Sequence, residues 1–313
     1  MLYLPASWVW DFWAAFDGKQ HHLFFLKASR ALHDPDRRHV HASIGHATSP
    51  DLVNWEECAD ALVPSDAPAW DDRATWTGSV VRDEDQDQWV MFYTGVSSQT
   101  AALDQRIGRA VSSDLMTWYK DPDLLVGPDP RWYETHEDPA CVDEAWRDPF
   151  VFAGTDGLWH MLVTARAVDG EWEQRGVVGH ATSSDLRQWR VAPALSVPGA
   201  GFGHMEVFQH CVVEGRGVLL FSCLTPELAA QRRPGGGGVW AVNVDDPLQG
   251  VDPRAAYRLT GEDLYVGKLV RNGDRWSFLA FMNDQPDGSW GGTIIDPRSV
   301  AWQGDRLVVE GAF

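Results

Sequence analysis

Three carboxylates stand among aromatic or apolar neighbours: Asp11 in Trp-Val-Trp-Asp-Phe-Trp, Asp148 in Trp-Arg-Asp-Pro-Phe, and Glu206 in Gly-His-Met-Glu-Val-Phe-Gln. An unpaired ionised carboxylate is costly in such company, so its proton affinity is expected to move. That is the setting for acid–base chemistry. Each acid also has an ordinary use. Asp148 could pair with Arg147, although adjacent strand residues point to opposite faces. Asp11 could cap a turn, and Glu206 could be an edge-strand charge. What argues for a joint role is that the three stand near the beginnings of three different repeat units.

The repeat is visible when the chain is compared with itself. Ile-Gly-His-Ala-Thr-Ser-Pro-Asp-Leu-Val-Asn-Trp at 44–55 recurs as IGRAVSSDLMTW at 107–118 and VGHATSSDLRQW at 178–189, each with a Trp ten residues after its Gly. Alternation of apolar and polar residues, an Asp-centred turn and a closing Trp predict a strand, a turn and a return strand. Further strand pairs lie at 75–95 and 147–165, ahead of the second and third copies, and at 206–224, each split by an Asp- or Gly-rich turn. A fifth set runs over 265–283 and 291–302, and HHLFFLKA at 21–28 supplies an early strand of the first. The units are roughly 60 residues long, above the ~40–50 of WD40 and kelch blades. The prediction is an all-β, five-bladed β-propeller of four-stranded antiparallel blades, one catalytic domain over 1–313 with no C-terminal β-sandwich. Trp55, Trp118 and Trp189 are expected in the blade cores. Inner strands of a propeller line its channel, so acids near the starts of different blades can converge there.

Bulk properties narrow the ligand. The net charge of −19 argues against nucleic acid, which recruits clustered Lys and Arg. Hydrophobic residues at 44% support a sizeable core, while no stretch reaches the length of a membrane span and the N-terminus lacks the pattern of a signal peptide. Four scattered cysteines without CxxC spacing are expected as reduced thiols in a cytoplasmic protein. No HExxH or EF-hand spacing occurs; His39, His41 and His46 are read as strand and loop surface residues, and neither metal nor cofactor is expected. A small neutral ligand is the expected partner, with no membrane partner and with room for a homo-oligomer over an exposed propeller face.

These residues resemble the five-bladed propeller glycosidases, chiefly glycoside hydrolase family 32, with families 43 and 68 as relatives. The resemblance rests on Asp11 in its aromatic segment, Arg147-Asp148-Pro149 in the third blade, Met205-Glu206-Val207 in the fourth, Trp76-Thr77-Gly78-Ser79 in the second, and Asp263-Leu264-Tyr265 in the fifth. It covers essentially the whole chain. The family's Asn-Asp-Pro-Asn-Gly pattern is replaced by Trp10-Asp11-Phe12-Trp13. That keeps the acid and changes the neighbours that would touch the sugar.

The resemblance implies hydrolysis of a terminal furanoside, a β-fructofuranoside such as sucrose or a fructo-oligosaccharide being the first expectation. Asp11 would attack the anomeric carbon, Glu206 would protonate the leaving oxygen and then activate water, and Asp148 would bind sugar hydroxyls. A polar surrounding for Asp11 and an apolar wall beside Glu206, with Phe208 as its candidate, would separate their proton affinities. Arg147, Tyr265, Trp13 and Trp76 are expected to contact substrate, with His204 tuning the acid. An inverting family 43-type arabinofuranosidase or xylosidase, with Asp11 as general base, is the alternative enzyme. A non-catalytic carbohydrate-binding propeller is the alternative outside enzymes.

Overall fold

The computed structural model describes residues 1–100, 104–137, 141, 143–285 and 287–311. Its strands form five antiparallel sheets. Blade one holds β1 (Ser7–Phe16), β2 (His21–Ser29), β3 (Ser43–Ser49) and β4 (Glu56–Glu57); blade two holds β5 (Ala74–Asp83), β6 (Gln88–Val96), β7 (Gln105–Ser112) and β8 (Tyr119–Val126). Blade three holds β9 (Trp146–Ala153), β10 (Trp159–Arg166), β11 (Gly176–Ser183) and β12 (Trp189–Ala192). Blade four holds β13 (Glu206–Val213), β14 (Arg216–Cys223), β15 (Gly238–Asn243) and β16 (Tyr257–Arg258). Blade five holds β17 (Leu264–Asn272), β18 (Arg275–Asp284), β19 (Trp290–Ile294), β20 (Arg298–Gln303) and β21 (Arg306–Val309), with both β19 and β20 against β18. The first strands touch in a closed ring, β1 to β5 to β9 to β13 to β17 and back to β1. This is a five-bladed β-propeller. Leu2 completes the circle by pairing with Ile294 of blade five, its N–H donating to the Ile294 carbonyl at 2.9 Å and its carbonyl accepting in return at 3.1 Å.

The sequence repeat is a turn with one chemistry. Asp51 accepts the N–H of Val53 and Asn54 at 2.9 and 2.8 Å, and the following Leu52 has φ 66°. Asp114 and Asp185 do the same for Met116 and Thr117, and for Arg187 and Gln188, with Leu115 and Leu186 again at positive φ. An Asp side chain that bonds the backbone two and three residues ahead makes the turn, and the Leu after it is buried in the core. Trp118 is buried and Trp55 and Trp189 are packed against apolar clusters between blades. The core is thus divided among blade–blade seams. His46, expected at the surface, is instead buried and bonded to His22 at 3.0 Å, because the third-strand position it occupies faces a seam. Among the described residues no helix is long and apolar enough to cross a membrane.

Candidate active site

A break in the inner strands sets the site. The register slips between Trp10 and Phe12 in β1, between Trp76 and Gly78 in β5, between Glu206 and Gln209 in β13, and between Tyr265 and Lys268 in β17; in blade three Arg147 faces Thr164 while Phe150 faces Leu162. Four of these bulges carry a non-glycine residue at positive φ: Asp11 (23°), Asp148 (59°), Val207 (56°) and Val266 (49°). Positive φ is strained, most of all for a β-branched valine, and costs of order 1–3 kcal/mol each. Bulges that recur in this way from blade to blade re-aim side chains at channel rims.

The alignment by register refines the expected equivalence. Asp11 and Asp148 share the positive-φ position, whereas Glu206 stands one residue earlier, matching Trp10, Trp76, Arg147 and Tyr265. The bulge also removes the obstacle that strand alternation sets against an Arg147–Asp148 pair: with Asp148 at positive φ the two lie together, Arg147 Nε 3.6 Å from Asp148 Oδ2.

All three acids line one cavity of about 270 Å³, together with Trp10, Arg38, His39, Trp76, Arg147 and Tyr265. Thr77 donates its hydroxyl to Asp11 Oδ2 at 2.6 Å. Thr164 donates to Asp148 Oδ2 at 2.9 Å, and the Asp148 N–H donates to Thr94 Oγ1 at 3.0 Å. Glu206 accepts from Arg147 Nη2 at 2.6 Å on one oxygen and from the Tyr265 hydroxyl at 2.5 Å on the other. Phe208 is buried and does not line this cavity, whose apolar wall comes instead from Leu26, Leu224 and Phe281.

Electrostatics follow from this crowding. Burial, then the neighbouring Asp148, push Asp11 up to about 7, against the Thr77 hydrogen bond and the charge of Arg38. Asp148 is raised to about 6 by burial, with Arg147 opposing. The polar surrounding expected to keep Asp11 readily ionised is therefore not what β1 provides, because the bulge folds its carboxyl into the channel beside a second aspartate. Burial and Glu206 hold the Tyr265 hydroxyl well above the ordinary tyrosine range, so it stays a donor.

Two expected contacts fall elsewhere. Trp13 is two residues past Asp11 and a regular strand would give both the same face, but Asp11 is itself the bulged residue, unpaired between Trp10 and Phe12, so the alternation restarts after it. Trp13 stacks on Phe24 and lines a second cavity of about 280 Å³ with Phe150, Gln209, Cys211 and Lys268. These residues all follow the bulges, as the acids all lie at them, so the two cavities are the two ends of one channel. His204 is buried behind Arg147, its Nδ1 3.3 Å from Arg147 Nη2 and its Nε2 against Arg166, which is held by buried Glu134 at 2.5 Å. Burial between two guanidinium groups keeps the imidazole neutral. It supports Arg147 rather than facing the cavity.

Several cavity residues were missed from the sequence. Trp10 and Arg38 were masked by Trp13 and by a polar loop; Arg38, from a 3₁₀ turn at Pro35–His41, lies over the Trp290 ring at 4.1 Å and near Asp11. Trp76 donates its indole N–H to the His39 carbonyl at 2.7 Å, tying that turn to the cavity rim. As to metals, Asp104, His136 and Glu144 bring ligand atoms within 4.8 Å of one another. Arg106 pairs with both carboxylates, at 2.6 and 2.7 Å, and takes the place of a cation.

A propeller channel that ends in one buried and two half-buried carboxylates from three blades, with a cavity over them, holds the residue types that glycoside hydrolysis uses. The comparisons agree. The family model "Glycosyl hydrolases family 32 N-terminal domain" matches residues 13–308, and the chain belongs to that family. Asp11 lies two residues ahead of the matched segment, so its place in the site rests on geometry. The chain is 29% identical over 191 residues to an insoluble β-fructofuranosidase isoenzyme of Arabidopsis thaliana, covering 59% of this chain and 32% of that one. It is 27% identical to the raffinose invertase of Escherichia coli, covering 97% of this chain and 62% of the other. The chain thus spans about a third of the plant relative's length. Among solved structures it resembles an inulosucrase from Halalkalicoccus jeotgali bound to kestose (TM-score 0.79, 21% identity, 99% of this chain and 90% of that one). It also resembles the fructan 1-exohydrolase IIa of Cichorium intybus (TM-score 0.71, 19% identity, 98% and 59%). At these identities the likeness concerns the fold.

Proposed function

We propose that this chain hydrolyses a terminal β-fructofuranoside, sucrose or a short fructo-oligosaccharide, by double displacement. The observation that carries the reading is the convergence of Asp11, Asp148 and Glu206 in one cavity of about 270 Å³. That volume lies near the lower end of small-molecule pockets and suits one terminal sugar ring rather than the middle of a polymer. The names of relatives, β-fructofuranosidase and raffinose invertase, support the same substrate class.

Asp11 is the nucleophile. Ionised, and held by Thr77, it attacks the anomeric carbon to give a glycosyl-enzyme ester. Glu206 gives its proton to the leaving oxygen and then takes one from the incoming water. Tyr265 and Arg147 each bond one Glu206 oxygen and so fix the plane of the carboxyl. Asp148, anchored by Thr164, accepts hydrogen bonds from ring hydroxyls that strengthen as positive charge develops. Trp10 and Trp76 present apolar ring faces in the wall.

Incubation with sucrose, raffinose, 1-kestose and an aryl arabinofuranoside, followed by sugar analysis, tests this. Release of fructose is expected; survival of the first three with cleavage of the arabinofuranoside would overturn the substrate. NMR of the first-formed anomer should show retention, and net inversion would remove Asp11 from the nucleophile role.

A further inference from the structure

The cavity at the far end of the channel holds a charged group that no step above uses. Lys268, on β17 three residues past Tyr265, is the one lysine of four that is buried, at 5% exposure. Its Nζ donates to the carbonyls of Val207 and Phe208 at 3.2 and 3.0 Å. Those carbonyls belong to the strained bulge that follows Glu206, with Val207 at φ 56°. A point charge with three donors is suited to gathering backbone carbonyls in this way.

The ammonium also lies beneath the acids. The titratable groups that act on it are Asp148 from β9, Asp11 from β1 and Cys211 from β13, and His21 and Arg271 line the same cavity. Arg147 is committed to Glu206, and Arg38 approaches Asp11 from the rim. A buried, unmatched lysine would be expelled or neutralised; this one is retained where two aspartates face it. Burial brings it down to about 8 even with that attraction, so it carries its charge through neutral pH.

We propose that Lys268 is a positioning residue for the reaction: its ammonium pins the bulge that carries Glu206 and supplies counter-charge to Asp148 and Asp11 from the opposite end of the channel. The proposal rests on the roles given above to those acids. No contact with substrate is involved, because the sugar cavity opens on the other side of the bulges.

The test separates charge from packing. Lys268→Gln keeps an amide that can donate to the two carbonyls and removes the charge; Lys268→Arg keeps the charge. For Lys268→Gln, the acid limb of kcat/KM on sucrose should move up by about one pH unit, so the loss at pH 6 exceeds that at pH 8 by about tenfold. KM should change less than threefold, and Lys268→Arg should keep the wild-type limb. A uniform fall across pH, or an unchanged profile, would overturn the proposal. A second arm needs no catalysis and no Lys268 variant. In ¹³Cε-lysine-labelled wild-type protein, four lysine signals are expected, with Lys268 titrating near pH 8. Its midpoint should fall in Asp148→Asn, and an unmoved midpoint refutes the counter-charge even if the substrate assignment proves correct. Should sucrose and its relatives survive the wild-type enzyme, the substrate reading fails and the NMR arm still decides the role of Lys268.

Discussion

Replacing Asp11 by Asn should make this protein inactive and more stable, with the gain growing as pH rises. In the folded chain Asp11 is raised from 3.8 to about 7. A carboxyl with a raised folded value holds its proton longer in the native state, so the native state binds more protons between roughly pH 4 and 7. Stability from this group is then greatest at low pH and is lost as pH climbs through that window. A shift of about three units corresponds to about 4 kcal/mol when complete. Asp11 shares its charge cost with Asp148 and is partly open to the cavity, so roughly half of that, about 2 kcal/mol, is the expected net effect. Asn has the same shape and its carbonyl can still accept the Thr77 hydroxyl, so little is lost in exchange. Urea unfolding of both proteins at pH 5 and pH 8 measures the effect. Asp11→Asn should exceed wild type by about 2 kcal/mol at pH 8, or about 3 °C in Tm for a chain of this length, and by clearly less at pH 5. Equal gaps at the two pH values, or a less stable variant at pH 8, would refute the account of Asp11 as a buried, charge-crowded carboxyl. The reasoning makes the nucleophile a site where activity is held against stability.

Other expectations follow from the same geometry. The acid limb of kcat/KM should fall between pH 7 and 6, because protonation of Asp11 and then Asp148 removes the nucleophile and its neighbour; a limb below pH 5, by stopped assay across buffers, would contradict it. Glu206→Gln should lower kcat on sucrose by about 10²–10⁴ and much less on an aryl glycoside whose leaving group needs no proton. Arg147→Met should destabilise by about 3–5 kcal/mol in urea, since it strips the buried partner from Glu206 and Asp148. Trp76→Ala should raise KM severalfold with little loss of Tm, whereas Trp13→Ala should cost about 3–5 kcal/mol in stability and leave KM nearly unchanged.

The blades were legible because their signals are local. The Ser-Asp-Leu turn needs only five residues to form its hydrogen bonds, and the strands beside it alternate with period two. The acids were legible as candidates because inner strands must converge on a channel. What was hidden is the bulge. Nothing in Trp-Asp-Phe-Trp or Arg-Asp-Pro announces that the backbone will turn to positive φ at the aspartate, and a single inserted residue reverses every face beyond it. The expectation that Trp13 contacts substrate therefore puts it at the wrong end of the channel, and the opposite-face rule for neighbouring strand residues does not hold for Arg147 and Asp148. Arg38 and Lys268 escaped notice for a different reason: their importance depends on which carboxylates stand across a gap, and only the closed ring brings those elements together.

The pairing of Leu2 with Ile294 has a consequence for synthesis. The strand bearing Asp11 leaves the ribosome before the other four blades, yet its neighbours on one side, β17 and β19, belong to the last of them. Contacts so distant along the chain form slowly and late. During translation β1 must wait, its tryptophans uncovered, while three complete blades are built behind it. Of the three site carboxylates the one made earliest is thus the last to reach its place, and a nascent chain has no assembled site until the circle is shut.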